Sequence, residues 1–253
     1  MTCSYTAATS KGGRRENQDN IRVDTIARVD TRRDTARNGT FSDKDTHLFC
    51  VCDGIGGEYA GVVASATALD AVNEVLHAAS PGAPLEQLAL DAAQAAQENV
   101  LRYYENSRRP GGTTISMALI RGADYVFLNI GDSPAFHYCA GDGICAEISV
   151  RHNLAARKRA RGMTVCPGDA SYLTAYLGDP RRSAAQMAHT VTGRLSPGDT
   201  LLLCSDGVTN AYDFQTLAEA MADGVSAREM VSCAAAQPDS DNCSAIHLLF
   251  EDF

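Results

Sequence analysis

Three apolar runs in this chain stop abruptly at an aspartate: "LFCVCDG" at Asp53, "VFLNIGDS" at Asp132 and "LLLCSDG" at Asp206. Two others start just after one: "QDNIRV" after Asp19 and "DNCSAIHLLF" after Asp241. Short apolar runs bounded by Asp, Gly or Pro read as strands. An aspartate at such a boundary is individually an ordinary turn residue. Five at the same kind of boundary say more. In an antiparallel sheet the end of one strand lies beside the start of its neighbour. Three strand-closing and two strand-opening carboxylates therefore converge at one edge of a sheet or sandwich. The bland alternative, five unrelated turn aspartates, stays open on pattern alone.

The remaining elements follow from periodicity. "TTISMALI", "PAFHYCA" and "ICAEISV" read as further strands, and "NIRVDTI" as a weaker one. Several runs are apolar on both faces, as in sheets covered on both sides. Helical spacing over about 58–79 puts Val62, Leu69, Val72, Val75 and Leu76 on one face. A second stretch, about 84–108, does the same with Leu85, Leu88, Ala92, Ala96, Val100 and Tyr103. Shorter helices are expected near 213–222 and 226–236. Strands clustered between helix pairs predict an α+β layered fold rather than alternating βαβ units. The stretch 24–46 is polar and non-periodic and reads as a long loop or excursion between two strands. The stretch 151–180 reads as a surface flap with one short helix. There is no internal repeat, and the expectation is one domain over 1–253.

Charge and cysteine usage narrow the function. The net charge of −9 argues against a nucleic-acid backbone as partner. No apolar stretch reaches the roughly 20 residues that cross a bilayer. The N-terminus lacks both a signal-peptide pattern and a myristoylation motif. The nine cysteines form no CxxC pair. Cys50, Cys52, Cys204 and Cys243 lie in apolar runs and read as small buried hydrophobes. A soluble, cytoplasmic monomer is expected.

Five gathered carboxylates either raise one another's pKa values or bind cations. An all-oxygen donor set without His or Cys suits a hard ion such as Mg²⁺ or Mn²⁺. "GGRRENQD" places Arg14 and Arg15 near the same edge. An arginine beside metal carboxylates can bind phosphate bidentately, and a solvated loop arginine is the plain alternative.

Taken together, "RRENQD", "DGIGGEYAG", "GGTT", "NIGDS", "LLLCSDGVTN" and "DNCSAI" resemble, in order and approximate spacing, the metal-dependent type 2C protein phosphatases of bacterial type. The match runs from about Thr6 to Phe250. The resemblance implies a two-sheet antiparallel β-sandwich flanked by pairs of helices. It implies a site for two Mn²⁺ or Mg²⁺ ions, with a third in bacterial members, that hydrolyses phosphoserine and phosphothreonine in proteins and opposes a serine/threonine kinase. By motif, Asp53 is similar to the carboxylate bridging two ions, and the Gly54 carbonyl to a ligand of the second. Asp206 and Asp241 match ligands of the first, and Asp19 matches the residue that orients water. Asp132 matches the third-ion acid, and Arg14 the phosphate-binding arginine.

The chain departs from the pattern at four places. Gln18 stands where many members have Glu, and Ile55 where some have His. Pro134 follows "GDS" in place of Arg, and the flap opens on Arg151-His152 in place of Asp-His. His152 is read as structural. The basic flap segment "ARKRARG" either steers acidic, phosphorylated substrates or is a solvated helix face. Gln18 and Pro134 also keep open a catalytically weak, phosphoprotein-binding member. A small-molecule phosphohydrolase has no motif in its favour.

Overall fold

The computed structural model describes residues 2–24, 35–42, 45–56, 58–105 and 111–251. In chain order the elements are β1 (Thr2–Ser10), β2 (Asn20–Val23), β3 (Thr35–Phe41), β4 (His47–Cys52), β5 (Gly54–Ile55), α1 (Glu58–Ala78) and α2 (Leu85–Tyr104). Then come β6 (Gly112–Thr113), β7 (Ile115–Arg121), β8 (Asp124–Ile130), β9 (Ala135–Cys139), β10 (Ile144–Glu147), α3 (Leu154–Ala160) and α4 (Ala184–Met187). The chain closes with β11 (His189–Arg194), β12 (Thr200–Cys204), α5 (Asp206–Thr209), α6 (Phe214–Ala222), α7 (Ala227–Ala235) and β13 (Cys243–Glu251).

Two antiparallel sheets stack face to face. One has the order β10-β9-β12-β13-β1-β3, the other β11-β8-β7-β4-β2. Three apolar layers hold the stack together. Phe49, Val51, Phe127, Leu201, Ile246 and Phe250 fill the space between the sheets. Leu69, Val72, Leu88, Ala96 and Val100 pack α1 and α2 onto Met117, Leu119 and Leu128 of the second sheet. Leu217, Met221, Met230 and Val231 pack α6 and α7 onto Leu202 and Ala245 of the first. The α+β sandwich flanked by helix pairs is therefore the fold. Strands β4, β12 and β13 are buried on both faces, as their continuous apolar runs predict.

Besides the two-residue β5 and β6, three strands were not expected from the sequence. β1, "TCSYTAATS", alternates: Cys3, Tyr5 and Ala7 are buried. Its small inward residues hide the period-2 signal. β11 is a polar edge strand. β3 corrects the reading of 24–46 as loop: Thr35–Phe41 is an edge strand paired along β1, while 25–34 and 43–44 lie outside the described residues. Its pairing comes from β1, not from its own apolar pattern. Gly39 sits opposite Tyr5, where a Cβ would come within 2.6 Å of the phenolic oxygen. All nine cysteines are free, and Cys50, Cys52, Cys204 and Cys243 are buried as expected. No helix among the described residues is long and apolar enough to cross a membrane.

Candidate active site

Register brings the aspartates together. β2 pairs with β4 so that Asn20 faces Cys52, which sets Asp19 beside Asp53. β12 pairs with β13 so that Cys204 faces Ala245, which sets Asp206 near Asp241. Asp132 follows β8 two strands from β4 in the same sheet. The ends of both sheets thus deliver all five carboxylates to one place. Asp53 shows it most directly. Burial pushes its carboxyl well above the usual range, and Asp19, Asp206, Asp132 and Asp241 each push it further.

The same forces act on its neighbours. Burial, with Asp132, Asp241 and Asp19 adding to it, raises Asp206 to about 7. Burial raises Asp19 to about 6, against hydroxyl contacts from Ser244 and Ser205 that hold it down. Asp132 is raised by burial and restrained by Asn153, whose Nδ2 donates to its Oδ2 at 3.1 Å. A set of mutually repelling buried carboxylates is ionised at neutral pH only if positive charge compensates it. Arg14 supplies some at the rim, donating to Asp241 Oδ2 at 2.7 Å. Asp19 Oδ1 is buried with no hydrogen-bond partner among the described residues. An orphaned oxygen among oxygen donors fits a hard divalent cation.

A supporting layer holds the acids still. Ser205 Oγ donates to Asp19 Oδ2 at 2.8 Å and accepts from the Ser244 amide at 2.9 Å. Asn17 Oδ1 accepts from the Asp19 amide, and its Nδ2 donates to Thr9. The Asp53 amide donates to Thr114 Oγ1 at 2.9 Å, and the Asp53 carbonyl accepts from both Thr113 Oγ1 and the Thr114 amide. "GGTT" thus clamps the Asp53 turn from β6. Ser205, Ser244, Thr9, Asn17, Thr114 and Asn153 escaped the sequence reading. Each looks like any small polar residue at a strand end, and only "SDG" and "GGTT" carried a trace of them.

Gly54 cannot be another residue, because a Cβ there would lie 2.2 Å from the Gly61 carbonyl oxygen. Beside it a cleft of ≈ 430 Å³ opens, lined by Arg14, Glu16, Gln18, Asp53, Gly54 and Asp241. All seven residues expected at the site, Arg14 and Gly54 included, therefore meet at the cleft or at the carboxylates behind it. Gln18 turns its Oε1 toward Gly61, where a Cβ would come within 2.7 Å.

The flap is pinned to the Asp132 loop. The His152 amide donates to the Gly131 carbonyl, and His152 Nδ1 accepts from the Gly131 amide. Burial, with His189 and Arg182 adding to it, lowers His152 to about 4, so the ring is a neutral acceptor. Arg151 bonds Glu147 at 2.8 Å and Thr209 at 3.3 Å, and its charge offsets a small part of the rise at Asp132 and Asp206.

The fold agrees with what known proteins show. A family model described as protein phosphatase 2C matches residues 26–237. The chain belongs to that family and is a protein phosphatase, a hydrolase of phosphoric monoesters. Among curated relatives it is 27% identical over 187 residues to the serine/threonine phosphatase Stp of Listeria monocytogenes, covering 68% of this chain and 71% of the relative. Among solved structures it is similar to the catalytic domain of the serine/threonine phosphatase PstP in complex with two manganese ions: 22% identity, TM-score 0.78, all of both chains covered. Stp1 of Staphylococcus aureus matches at 20% identity and TM-score 0.80, covering 98% of this chain and 95% of that one. The structural likenesses bear on the fold.

Proposed function

We propose that this chain hydrolyses phosphoserine and phosphothreonine in proteins, using Mn²⁺ or Mg²⁺ held by the aspartate cluster. One observation carries the reading: four carboxylates crowd a fifth, Asp53, at a cleft whose rim carries Arg14. The names of the relatives supply the choice of serine and threonine.

Asp53, the Gly54 carbonyl, Asp206 and Asp241 would hold these ions. Asp132 would serve a third. When bound, such ions acidify a coordinated water and offset phosphoryl charge. The protein's own groups do the rest. Arg14 leaves Asp241 for the phosphoryl oxygens, where its fork-shaped guanidinium matches two of them. Asp19, anchored by Ser205, would help to hold an ion through the attacking water that its Oδ1, unpartnered among the described residues, orients. Thr113 and Thr114 hold Asp53 in line. Ile55 offers no proton, so the leaving serine or threonine oxygen takes one from water. Exposed Arg157 and Arg159 on α3 would attract acidic substrate segments, while Lys158 is tied to Asp169 at 2.8 Å. A kinase must supply the phosphoester that this reaction consumes. The nine free thiols support a reducing, cytoplasmic setting.

Phosphate release from a phosphothreonine peptide, measured in Mn²⁺, Mg²⁺ and EDTA, tests this. Turnover is expected with either ion and is lost in EDTA and in Asp206→Ala. Folded, metal-loaded protein that binds the peptide without turnover would instead support a phosphoprotein-binding role, with Gln18→Glu as the variant to restore activity.

A further inference from the structure

Asp206 follows β12 and Asp199 precedes it, so a five-residue strand separates them. That is ~17 Å of extended chain, which puts Asp199 at the opposite end of the sandwich from the aspartate cluster. There, a second group of metal-binding side chains converges. His137 and Cys139 are two residues apart on β9 and share a face. Ala135 on that face belongs to the core between the sheets. β9 lies beside β12, with Thr200 opposite Tyr138, which brings Asp199 alongside the pair. His137 Nε2 is 3.3 Å from Asp199 Oδ2, and Cys139 Sγ is 3.8 Å from His137 Nε2. Each of the three offers a donor atom within 4.8 Å of the others. Around a tetrahedral ion with bonds of about 2.0–2.3 Å, donors stand ~3.3–3.8 Å apart.

The surroundings hold these donors in place. Asp199 accepts the Ala140 amide on Oδ1 at 3.0 Å and the Ser196 amide on Oδ2 at 2.9 Å. Its side chain is only 6% exposed. The second nitrogen of His137, Nδ1, lies 3.4 Å from Tyr125 Oη, which reaches across from the other sheet. A metal-ligating imidazole is ordinarily oriented by such a partner on its free nitrogen. Cys139 is partly exposed at the sheet margin, which gives an ion a way in.

We propose that His137, Cys139 and Asp199 form a second metal site, selective for Zn²⁺ or a similar borderline-soft divalent ion, with a fourth position open to water. The nitrogen, sulfur and oxygen donor set separates it from the all-oxygen aspartate cluster. On binding, the Cys139 thiol releases its proton to solvent. The imidazole would ligate through Nε2, with its proton on Nδ1 facing Tyr125. The bound ion would tie the β9–β10 hairpin to the turn at 196–199. It touches none of the phosphatase machinery.

The test is a Co²⁺ titration of the whole protein in excess Mg²⁺, which occupies the carboxylates. A near-ultraviolet thiolate-to-cobalt charge-transfer band should rise to one equivalent and be displaced by Zn²⁺. Cys139→Ser should abolish the band and leave phosphate release in Mg²⁺ unchanged. His137→Asn should weaken Zn²⁺ binding at least tenfold. Substituting the exposed Cys166 or Cys233 by serine should change nothing. A measurement on unaltered protein guards against misfolded variants: Zn²⁺ should slow alkylation of Cys139 at least tenfold relative to Cys166, read by peptide mass. Absence of the band, its survival in Cys139→Ser, or equal alkylation with and without Zn²⁺ would overturn the proposal.

Discussion

Ser205 is one of two hydroxyls, after Ser244, that favour the ionised form of Asp19. Its hydroxyl donates to Asp19 Oδ2 and accepts from the Ser244 amide. Ser205→Ala removes a donor that favours the charged carboxylate, so Asp19 rises further and competes less well for a cation. Calorimetric titration should show Mn²⁺ affinity weakened about 10–100-fold. Unchanged affinity would mean that Asp19 plays no part in holding the ion. Arg14 poses the opposite case. Its ion pair with Asp241 is exposed, with side chains 59% and 36% accessible, so it adds little to stability. Arg14→Ala should leave the melting temperature alone and cut kcat/KM for a phosphopeptide by ~10²-fold, the usual cost of one phosphate-side donor. A fall in melting temperature without loss of kcat/KM would contradict its role in phosphate binding.

Elements owe their positions to different causes. α7 begins with a full capping box: Ser226 Oγ accepts from the Glu229 amide, and Glu229 reaches back to the Ser226 amide. The helix lays Met230, Val231 and Ala234 on the first sheet. Ser226→Ala should cost about 1 kcal/mol, seen as a lower urea midpoint at unchanged slope. Mn²⁺ binding should not change, since α7 lies outside the sheet that carries Asp206 and Asp241. α7 was readable in "SAREMVSCAAA" because cap and period are both local. β3 was not, because "TARNGTF" has no periodic face and becomes a strand only through the edge that β1 offers. β1 falls between these cases: its alternation is real, but alanine and cysteine carry it faintly.

For the molecule as a whole, pH acts through a buried histidine far from the cleft. His247 on β13 directs Nδ1 at the Val225 carbonyl, 3.0 Å away, and its Nε2 has no partner among the described residues. Burial, only partly opposed by the Val225 contact, lowers it from 6.5 to about 4. The folded pKa lies below the unfolded one, so the unfolded chain takes the proton first as pH falls. The associated stability is complete above pH 6.5, declines as pH drops, and is fully lost by about pH 4. By pH 5 the loss is about 2 kcal/mol at ~1.4 kcal/mol per pKa unit. His247→Asn keeps the donor to Val225 and removes the titration. Urea unfolding at pH 7 and pH 5 should therefore show a steeper loss in the unsubstituted protein than in the variant. Equal losses would show that His247 is not buried in neutral form.

Strand ends, helix periods and the five aspartates were readable from residue order because each is a local pattern of side-chain chemistry. The family resemblance rested on those same local motifs. The structure alone decided what depends on register between distant segments. Examples are the Ser205–Asp19 contact, 186 positions apart in the chain, the β1–β3 edge, and the meeting of His137 and Cys139 with Asp199. In each case the partners are unremarkable in sequence, and only hydrogen-bonded strand pairing brings them within reach.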